Sequence, residues 1–167
     1  FVCKYVAVPT TAGSNEGVSV TESASLITGV TPGSLATADD VLARVTAKDS
    51  SATTLNVAAN AAGLYGTGAT ATLSLKSSGA PVAIYTVVIY GDVNGDGAVD
   101  SADAAAVELH DQFVELLDED TAPYYAAEVN GDSAIDSADA GAIELHDQFV
   151  ELLSDQNVLA EAFNSAW

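Results

Sequence analysis

An internal duplication constrains this chain more than any other feature of its sequence. Residues 92–117 read DVNGDGAVDSADAAAVELHDQFVELL, and residues 128–153 read EVNGDSAIDSADAGAIELHDQFVELL. Over the 17 positions that begin at Ser101 and Ser137, the two copies differ only twice. Such a close duplication indicates two copies of one supersecondary unit. Because two units are too few for a solenoid, we expect the copies to pack against each other.

Acidic residues are concentrated in the duplicated half. The 167 residues include 24 acidic and 4 basic residues, which gives a formal net charge of −20. From Gly91 onward the chain has 19 acidic residues and no Lys or Arg. This charge excludes a protein that binds nucleic-acid phosphates and disfavours binding to an anionic membrane. The change in composition predicts two domains, 1–90 and 91–167, and a bound cation would relieve the repulsion in the second.

Each copy begins with oxygen-bearing side chains on alternate residues, which is the 1, 3, 5, 7, 9, 12 spacing of an EF-hand calcium loop. Calcium takes about six to eight oxygen ligands, and a chain that turns around the ion places alternate side chains inward. A single copy could be an ordinary Asx-rich turn, but two copies at fixed spacing favour calcium. The predicted ligands are Asp92, Asn94, Asp96, the Ala98 carbonyl, Asp100 and Asp103 in the first loop, and Glu128, Asn130, Asp132, the Ala134 carbonyl, Asp136 and Asp139 in the second.

The second loop departs from the pattern at two positions. Its first ligand, Glu128, is one methylene longer than aspartate, and its sixth residue is Ser133 where the first loop has Gly97. A residue other than glycine at the sixth position costs on the order of 1 kcal/mol of backbone strain. We therefore predict two calcium ions, with the second bound less tightly.

The remaining sequence predicts an α+β protein, in which a small Ig-like β-sandwich precedes an all-α pair of calcium loop–helix repeats. Regularly spaced short strands, expected at about 2–8, 17–21, 43–47, 53–58, 69–75 and 82–90, favour the sandwich. One short helix is expected within 34–44. The last strand runs directly into the first loop, so we expect a rigid junction in which the sandwich supports that loop. Helices are expected at 101–117 and 137–153, whereas TAPYYAA before Glu128 is too short for a helix.

A duplicated calcium loop with only its exiting helix, and with Asp103 and Asp139 at position twelve, resembles a type I dockerin with two F-hand repeats. The resemblance covers about residues 90–155 and includes the opening GDVNGDG. It implies a module that attaches secreted, extracellular proteins to cohesin domains of bacterial scaffoldins, as in cellulosome- or amylosome-type complexes for polysaccharide degradation. The Ig-like stretch that ends TVVIYGDVNGDG is similar to the X-modules that precede dockerins in ruminococcal-type proteins.

The resemblance also implies a surface that contacts the cohesin. Because 101, 105, 108 and 112 follow helical spacing, these positions share one face. Leu109 and Phe113, with Leu116, also form an apolar stripe, so core and interface remain equally supported for these two residues. The implied contact residues are Ser101, Ala102, Ala105, Glu108, Leu109, Gln112 and Phe113 in the first copy, and Ser137, Ala138, Gly141, Glu144, Leu145, Gln148 and Phe149 in the second.

The sequence contains no nucleophile elbow, phosphate loop or Cys–His pair. It therefore favours a non-catalytic assembly module. We expect a monomer apart from its cohesin partner, with no nucleic acid or membrane partner and with two possible docking orientations, since the copies match. The alternative is a calcium-stabilised stalk of an extracellular protein without a cohesin partner. An intracellular calcium sensor would have glutamate at position twelve and an entering helix. His110 and His146 are expected to be solvent-facing or rim residues rather than zinc ligands.

Overall fold

The structure is a computed structural model that describes residues 6–7, 19–21, 25–28, 37–42, 45–47, 49–149 and 153. The N-terminal part contains short strands and one short helix, in the order β1 (Val6–Ala7), β2 (Ser19–Thr21), β3 (Leu26–Thr28), α1 (Ala38–Leu42), β4 (Thr46–Ala47), β5 (Thr53–Ala58), β6 (Thr70–Leu75) and β7 (Pro81–Val87). The expected helix within 34–44 is therefore α1.

Five of these strands form one sheet in the order β2-β3-β7-β6-β5, and β1 pairs separately with β4. β3 runs parallel to β7, and the other neighbours are antiparallel. The strands expected at 53–58 and 69–75 are β5 and β6, which contain several β-branched threonine and valine residues. β7 ends at Val87 rather than at residue 90, and β3 was not expected. Parts of the strands expected at 2–8, 17–21 and 43–47 lie outside the described residues. The described strands confirm a β region before helices, while the Ig-like sandwich stays a prediction.

The duplicated half is helical, as expected, and its helices are α2 (Ser101–Asp111), α3 (Ala122–Ala127) and α4 (Ser137–Asp147). α2 and α4 pack against each other, which confirms that the two copies associate. The predicted absence of a helix before Glu128 is wrong. Pro123 lies in the first turn of α3, where its missing N–H costs nothing.

The prediction that the repeat helices extend to 117 and 153 is also wrong. The Phe113 N–H donates to the His110 carbonyl at 3.0 Å, and the Val114 N–H donates to the Leu109 carbonyl at 2.9 Å. This pair of hydrogen bonds is a Schellman motif, which closes a helix and turns the chain away. α2 therefore ends at Asp111, and α4 ends at the matching Asp147.

The segment 87–90 belongs to two hydrophobic cores at once. Val87 and Ile89 are buried in the core of the N-terminal sheet, and Val88 and Tyr90 are buried in the core of the helical half. This alternation follows from extended backbone, in which successive side chains point to opposite faces. The helical core also contains Val107 from α2 and Ile143 from α4. The two halves are therefore joined through a common buried segment, and the rigidity of this junction stays a prediction.

Replacing Val88 tests this shared packing. Because Val88 is fully buried in the helical core, Val88→Ala is expected to lower the free energy of unfolding by about 2 kcal/mol through lost burial and a small cavity. Val82→Ala, on the exposed part of β7, is the matched control and should change it by less than about 0.5 kcal/mol. Denaturant unfolding measured by circular dichroism at 222 nm compares the two. An equal effect of both variants would contradict the shared core.

Candidate functional site

The first loop is organised by the carboxylates at its two ends. Asp92 and Asp103 are both fully buried. Asp92 Oδ1 accepts a hydrogen bond from the Gly95 N–H at 2.8 Å, and its Oδ2 accepts one from the Gly97 N–H at 3.2 Å. Asp103 Oδ1 accepts from Val93 N–H at 2.8 Å and from Asn94 N–H at 3.0 Å. The loop therefore turns around its own acidic ends.

The intermediate side chains stabilise successive turns. Asn94 Oδ1 accepts from the Asp96 N–H at 2.8 Å, and Asp96 Oδ1 accepts from the Ala98 N–H at 2.8 Å. Asp100 is the N-cap of α2, and it forms a capping box with Asp103. The same residues thus serve as predicted ligands and as the start of the helix, which fixes the loop relative to α2.

The second loop repeats this arrangement almost bond for bond. Asp139 Oδ1 accepts from the Val129 N–H at 2.9 Å, and Asp136 forms the matching capping box with Asp139. Glu128 Oε1 accepts from the Gly131 N–H at 2.6 Å. Ser133 takes a φ of +69°, close to the +86° of Gly97 at the same position of the first loop. The sixth position therefore requires left-handed backbone in both copies.

Burial raises the pKa of the end carboxylates. Desolvation is the main cause for Asp92, Glu128 and Asp139, although loop N–H groups oppose it in each case. Desolvation raises the pKa of Asp103 from 3.8 to about 6. A buried carboxylate is costly to charge unless a cation or hydrogen-bond donors compensate it. Each loop thus concentrates negative charge that a cation would stabilise.

The donor set fits a hard divalent cation. Glu128 Oε2 is buried and accepts no hydrogen bond within the described part of the chain, so an oxygen at the first ligand position lacks a partner. Carboxylate, amide and carbonyl oxygens are the ligands calcium prefers. As the side chains stand, no group of three or more His, Cys, Asp or Glu among the described residues could hold a metal ion. The two loops place the twelve predicted ligands at matching positions, and their coordination of calcium remains a prediction.

The side chains expected to contact a partner lie at the surface. All seven in the first copy are exposed, as are those of the second copy apart from the half-buried Gly141. A position in the hydrophobic core is excluded for Leu109 and Phe113, because the Leu109 side chain is 36% exposed and the Phe113 side chain is 83% exposed. The buried residues of α2 are Asp103, Ala104 and Val107. The stripe therefore faces solvent, and Phe149 at 85% exposure repeats the arrangement.

These two phenylalanines also have unusual backbone conformations. Phe113 and Phe149 have φ values of +56° and +55°, at the helix-ending position that glycine usually occupies. A bulky residue in this region is strained, and such strain is concentrated at functional positions. The strain and the exposure therefore occur together at the matching position of both copies.

The two histidines act as hydrogen-bond acceptors for the segments after the helices. His110 Nδ1 accepts from the Leu117 N–H at 3.0 Å, and His146 Nδ1 accepts from the Leu153 N–H at 3.0 Å. Both rings are half-buried rather than solvent-facing, and His110 lies edge-on to Tyr124. A neutral imidazole has one acceptor nitrogen, so these contacts assign Nδ1 as unprotonated.

Asn60 and Thr67 contact the first loop as well, and no motif or spacing in the sequence marks them.

The loops and helices define a duplicated loop–helix module. The model of the family described as Dockerin type I domain matches residues 90–144, which include both loops, α2, α3 and most of α4. Dockerin type I domains are non-catalytic modules that bind calcium and, in general, bind cohesin domains in a calcium-dependent manner. Proteins with dockerin domains are typically extracellular. Neither the curated proteins nor the solved structures gave a match.

The dockerin resemblance is thereby confirmed for residues 90–144, whereas the X-module and the cellulosome context remain predictions. None of the helices in the described part of the chain is both long and apolar enough to span a bilayer.

The strain at Ser133 gives a stability prediction. Ser133→Gly is expected to raise the free energy of unfolding by about 0.5–1 kcal/mol, because glycine adopts positive φ without a Cβ penalty. Ser77→Gly is the matched control, since Ser77 lies in an exposed turn and does not have positive φ. The control should lose stability through the added freedom of the unfolded chain. Chemical denaturation measures both variants, and destabilisation by Ser133→Gly would contradict the assignment of strain.

Proposed function

We propose that residues 91–167 form a calcium-dependent assembly module that binds a cohesin domain, and that residues 1–90 form a separate domain attached rigidly to it. The observation that carries this proposal is the matched pair of loops. Each has buried carboxylates at positions one and twelve, and each opens into a helix of identical length. The dockerin type I match over residues 90–144 supports the same function.

Calcium would be held by the twelve ligands predicted from the loop spacing. When bound, the ion supplies positive charge that offsets the repulsion among the loop carboxylates. The side chains also fix the backbone of each loop. Asp100 and Asp136 start the helices that follow, and Asp103 and Asp139 close the loops. Without the ion, holding the ligand carboxylates close together costs free energy. Calcium binding is therefore expected to contribute directly to folding.

The exposed faces of α2 and α4 would form the cohesin-binding surface. Phe113 and Phe149 would be its apolar anchors, since exposed aromatic side chains are frequent binding hot spots. Neither helix carries Lys or Arg, and the second half of the chain is acidic. These features favour a cohesin surface that is apolar or basic.

The two copies would allow two docking orientations. Their contact positions are identical except for Ala105 and Gly141, and α2 packs against α4 as its equivalent. A rotation that exchanges the helices would then present nearly the same surface to the partner. Either α2 or α4 could therefore take the same position on the cohesin.

The parent protein is proposed to be extracellular and to lack catalytic activity in this region, with the cohesin belonging to a scaffoldin of a polysaccharide-degrading complex. The module is proposed to be monomeric apart from that partner. The calcium-stabilised stalk remains the competing function, and it differs by having no cohesin partner.

Calcium dependence gives the central test. Isothermal calorimetry of the whole chain is expected to report two calcium ions, and Asp103→Ala or Asp139→Ala should each reduce the number to one. On native gels with a panel of cohesin domains, binding should disappear when a chelator is added. Asp118→Ala, which alters an exposed acid outside the loops, is the control and should keep both properties. A wild-type chain that takes up no calcium would falsify the proposal, and calcium uptake without any cohesin binding would favour the stalk.

The two orientations can be separated by paired substitutions. Ser101→Arg with Ala102→Arg should weaken cohesin binding by only about twofold, because one of two equivalent modes remains. Ser137→Arg with Ala138→Arg should do the same, and all four changes together should abolish binding. Glu119→Arg, in the exposed connector, changes the net charge by the same +2 as each pair and controls for added positive charge. Complete loss of binding from one pair alone would show a single orientation.

A further inference from the structure

The β5–β6 loop, residues 59–69, lies directly on the first calcium loop and has no counterpart on the second among the described residues. The Thr67 N–H donates to Asp92 Oδ2 at 2.8 Å, and the Asn60 side-chain Nδ2 donates to the Gly95 carbonyl at 2.7 Å. Asp92 is the first predicted ligand, and Gly95 belongs to the turn that follows it. The N-terminal sheet thus supplies hydrogen-bond donors to the acidic loop.

Packing at this contact is too tight for any side chain on Gly66. A Cβ at Gly66 would come within 2.5 Å of Asp92 Oδ2 and of the Gly95 carbonyl, and it would also meet the Gly97 nitrogen. Gly66 does not have positive φ, so close approach, rather than backbone conformation, is what requires a glycine here. The β5–β6 loop therefore fits against the calcium loop backbone itself.

The β5–β6 loop is in turn tied to the segment shared by the two cores. Asn60 Oδ1 accepts from the Leu64 N–H at 3.1 Å, which closes the β5–β6 loop on itself. Thr67 Oγ1 accepts from the Ile89 N–H at 3.0 Å, and the Gly68 N–H donates to the Val87 carbonyl at 2.9 Å. Asp92 follows that segment by only a few residues. Movement of Asp92 would consequently disturb both the β5–β6 loop and the sheet.

The equivalent atoms of the second loop have a different environment. Gly95 and Gly97 are buried, whereas Gly131 and Ser133 are exposed. Asp92 Oδ2 accepts from both Thr67 and Gly97, whereas Glu128 Oε2 accepts no hydrogen bond within the described residues. Near-identical loop sequences therefore differ in the support given to their first ligand.

We propose that the β5–β6 loop is the outer shell of the first calcium site, which it preorganises through Asn60, Gly66 and Thr67, and that it couples calcium binding at this site to the stability of the N-terminal sheet. This inference rests on the proposed function, because it needs the first loop to bind calcium. Hydrogen bonds from outside the ligand set orient ligands and strengthen metal binding. Coupling of this kind is reciprocal, so calcium must stabilise the sheet as far as the sheet strengthens calcium binding.

The test is a calcium titration of the full-length chain, labelled with ¹⁵N and followed by NMR. The amides of Gly95 and Gly131 occupy matching positions and each donates to the first ligand of its own loop, so they report on the two sites separately. In the wild type, the Gly95 signal should saturate at lower calcium than the Gly131 signal. Gly66→Ala should raise the Gly95 midpoint about tenfold and leave the Gly131 midpoint unchanged.

Asn60→Ala is the second variant, because it removes the amide donor without adding bulk, and it should move the Gly95 midpoint in the same direction. Asn56→Ala, an exposed residue of β5, is the control and should move neither midpoint. Hydrogen exchange gives an independent readout that needs no mutation: calcium should slow exchange of the Val87 amide, which donates to Ala69 within the sheet. In Asn60→Ala that slowing should diminish.

The outcomes separate this inference from the proposed function. If both amides respond to calcium in the wild type but the Gly95 midpoint is unchanged in Gly66→Ala and Asn60→Ala, the outer shell is wrong and the calcium module stands. An equal rise of the Gly95 and Gly131 midpoints would also contradict the proposed outer shell, because the β5–β6 loop is expected to affect calcium binding at the first site alone. If neither amide responds to millimolar calcium in the wild type, the proposed function itself fails.

Discussion

Burial of carboxylates at the ends of two acidic loops is the constraint on which this structure depends. Asp92, Asp103 and Asp139 are fully buried and Glu128 nearly so, in a half of the chain that has no Lys or Arg. Burial disfavours their charged forms, and loop N–H groups compensate only part of that cost. Asp103 and Asp139 also close the loops and take part in the capping boxes of α2 and α4. The carboxylates whose burial costs free energy therefore also determine the conformation of the loops.

The junction between the halves depends on a second, more ordinary interaction. Residues 87–90 are extended, and their alternating side chains enter two different cores. Because one short segment serves both cores, the sheet is positioned against the first loop without a flexible linker. That position brings Thr67 and Asn60 within hydrogen-bond distance of the loop. The result is a pair of loops with nearly the same sequence and unequal surroundings.

The predictions that succeeded concern features set by nearby residues. Asp100 and Asp136 begin helices because their side chains cap backbone N–H groups two residues on. Strands β5 and β6 follow from their β-branched residues and from the turn-prone segments between the expected strands. The predictions that failed concern helix ends and α3. The stripe of Leu109, Phe113 and Leu116 has the spacing of a longer buried helix, but α2 meets α4 through Ala104 and Val107 instead. Because the described residues leave this stripe exposed, no burial in that part of the chain favours continuing the helix past Asp111.

What the sequence by itself determined is the duplication, the positions of the loop oxygens, the need for left-handed backbone at the sixth position, and the acidic character of the second half. These depend on spacing and on the conformational range of individual residues. Only the tertiary structure decided which apolar side chains are exposed, where the helices end and which loop the sheet covers. Apart from Glu128 and Ser133, the two loops are almost identical in sequence, so the sequence alone could not show that one of them packs against the sheet. In the described part of the chain, the difference arises because the five-stranded sheet precedes the pair and its β5–β6 loop contacts the copy that directly follows it.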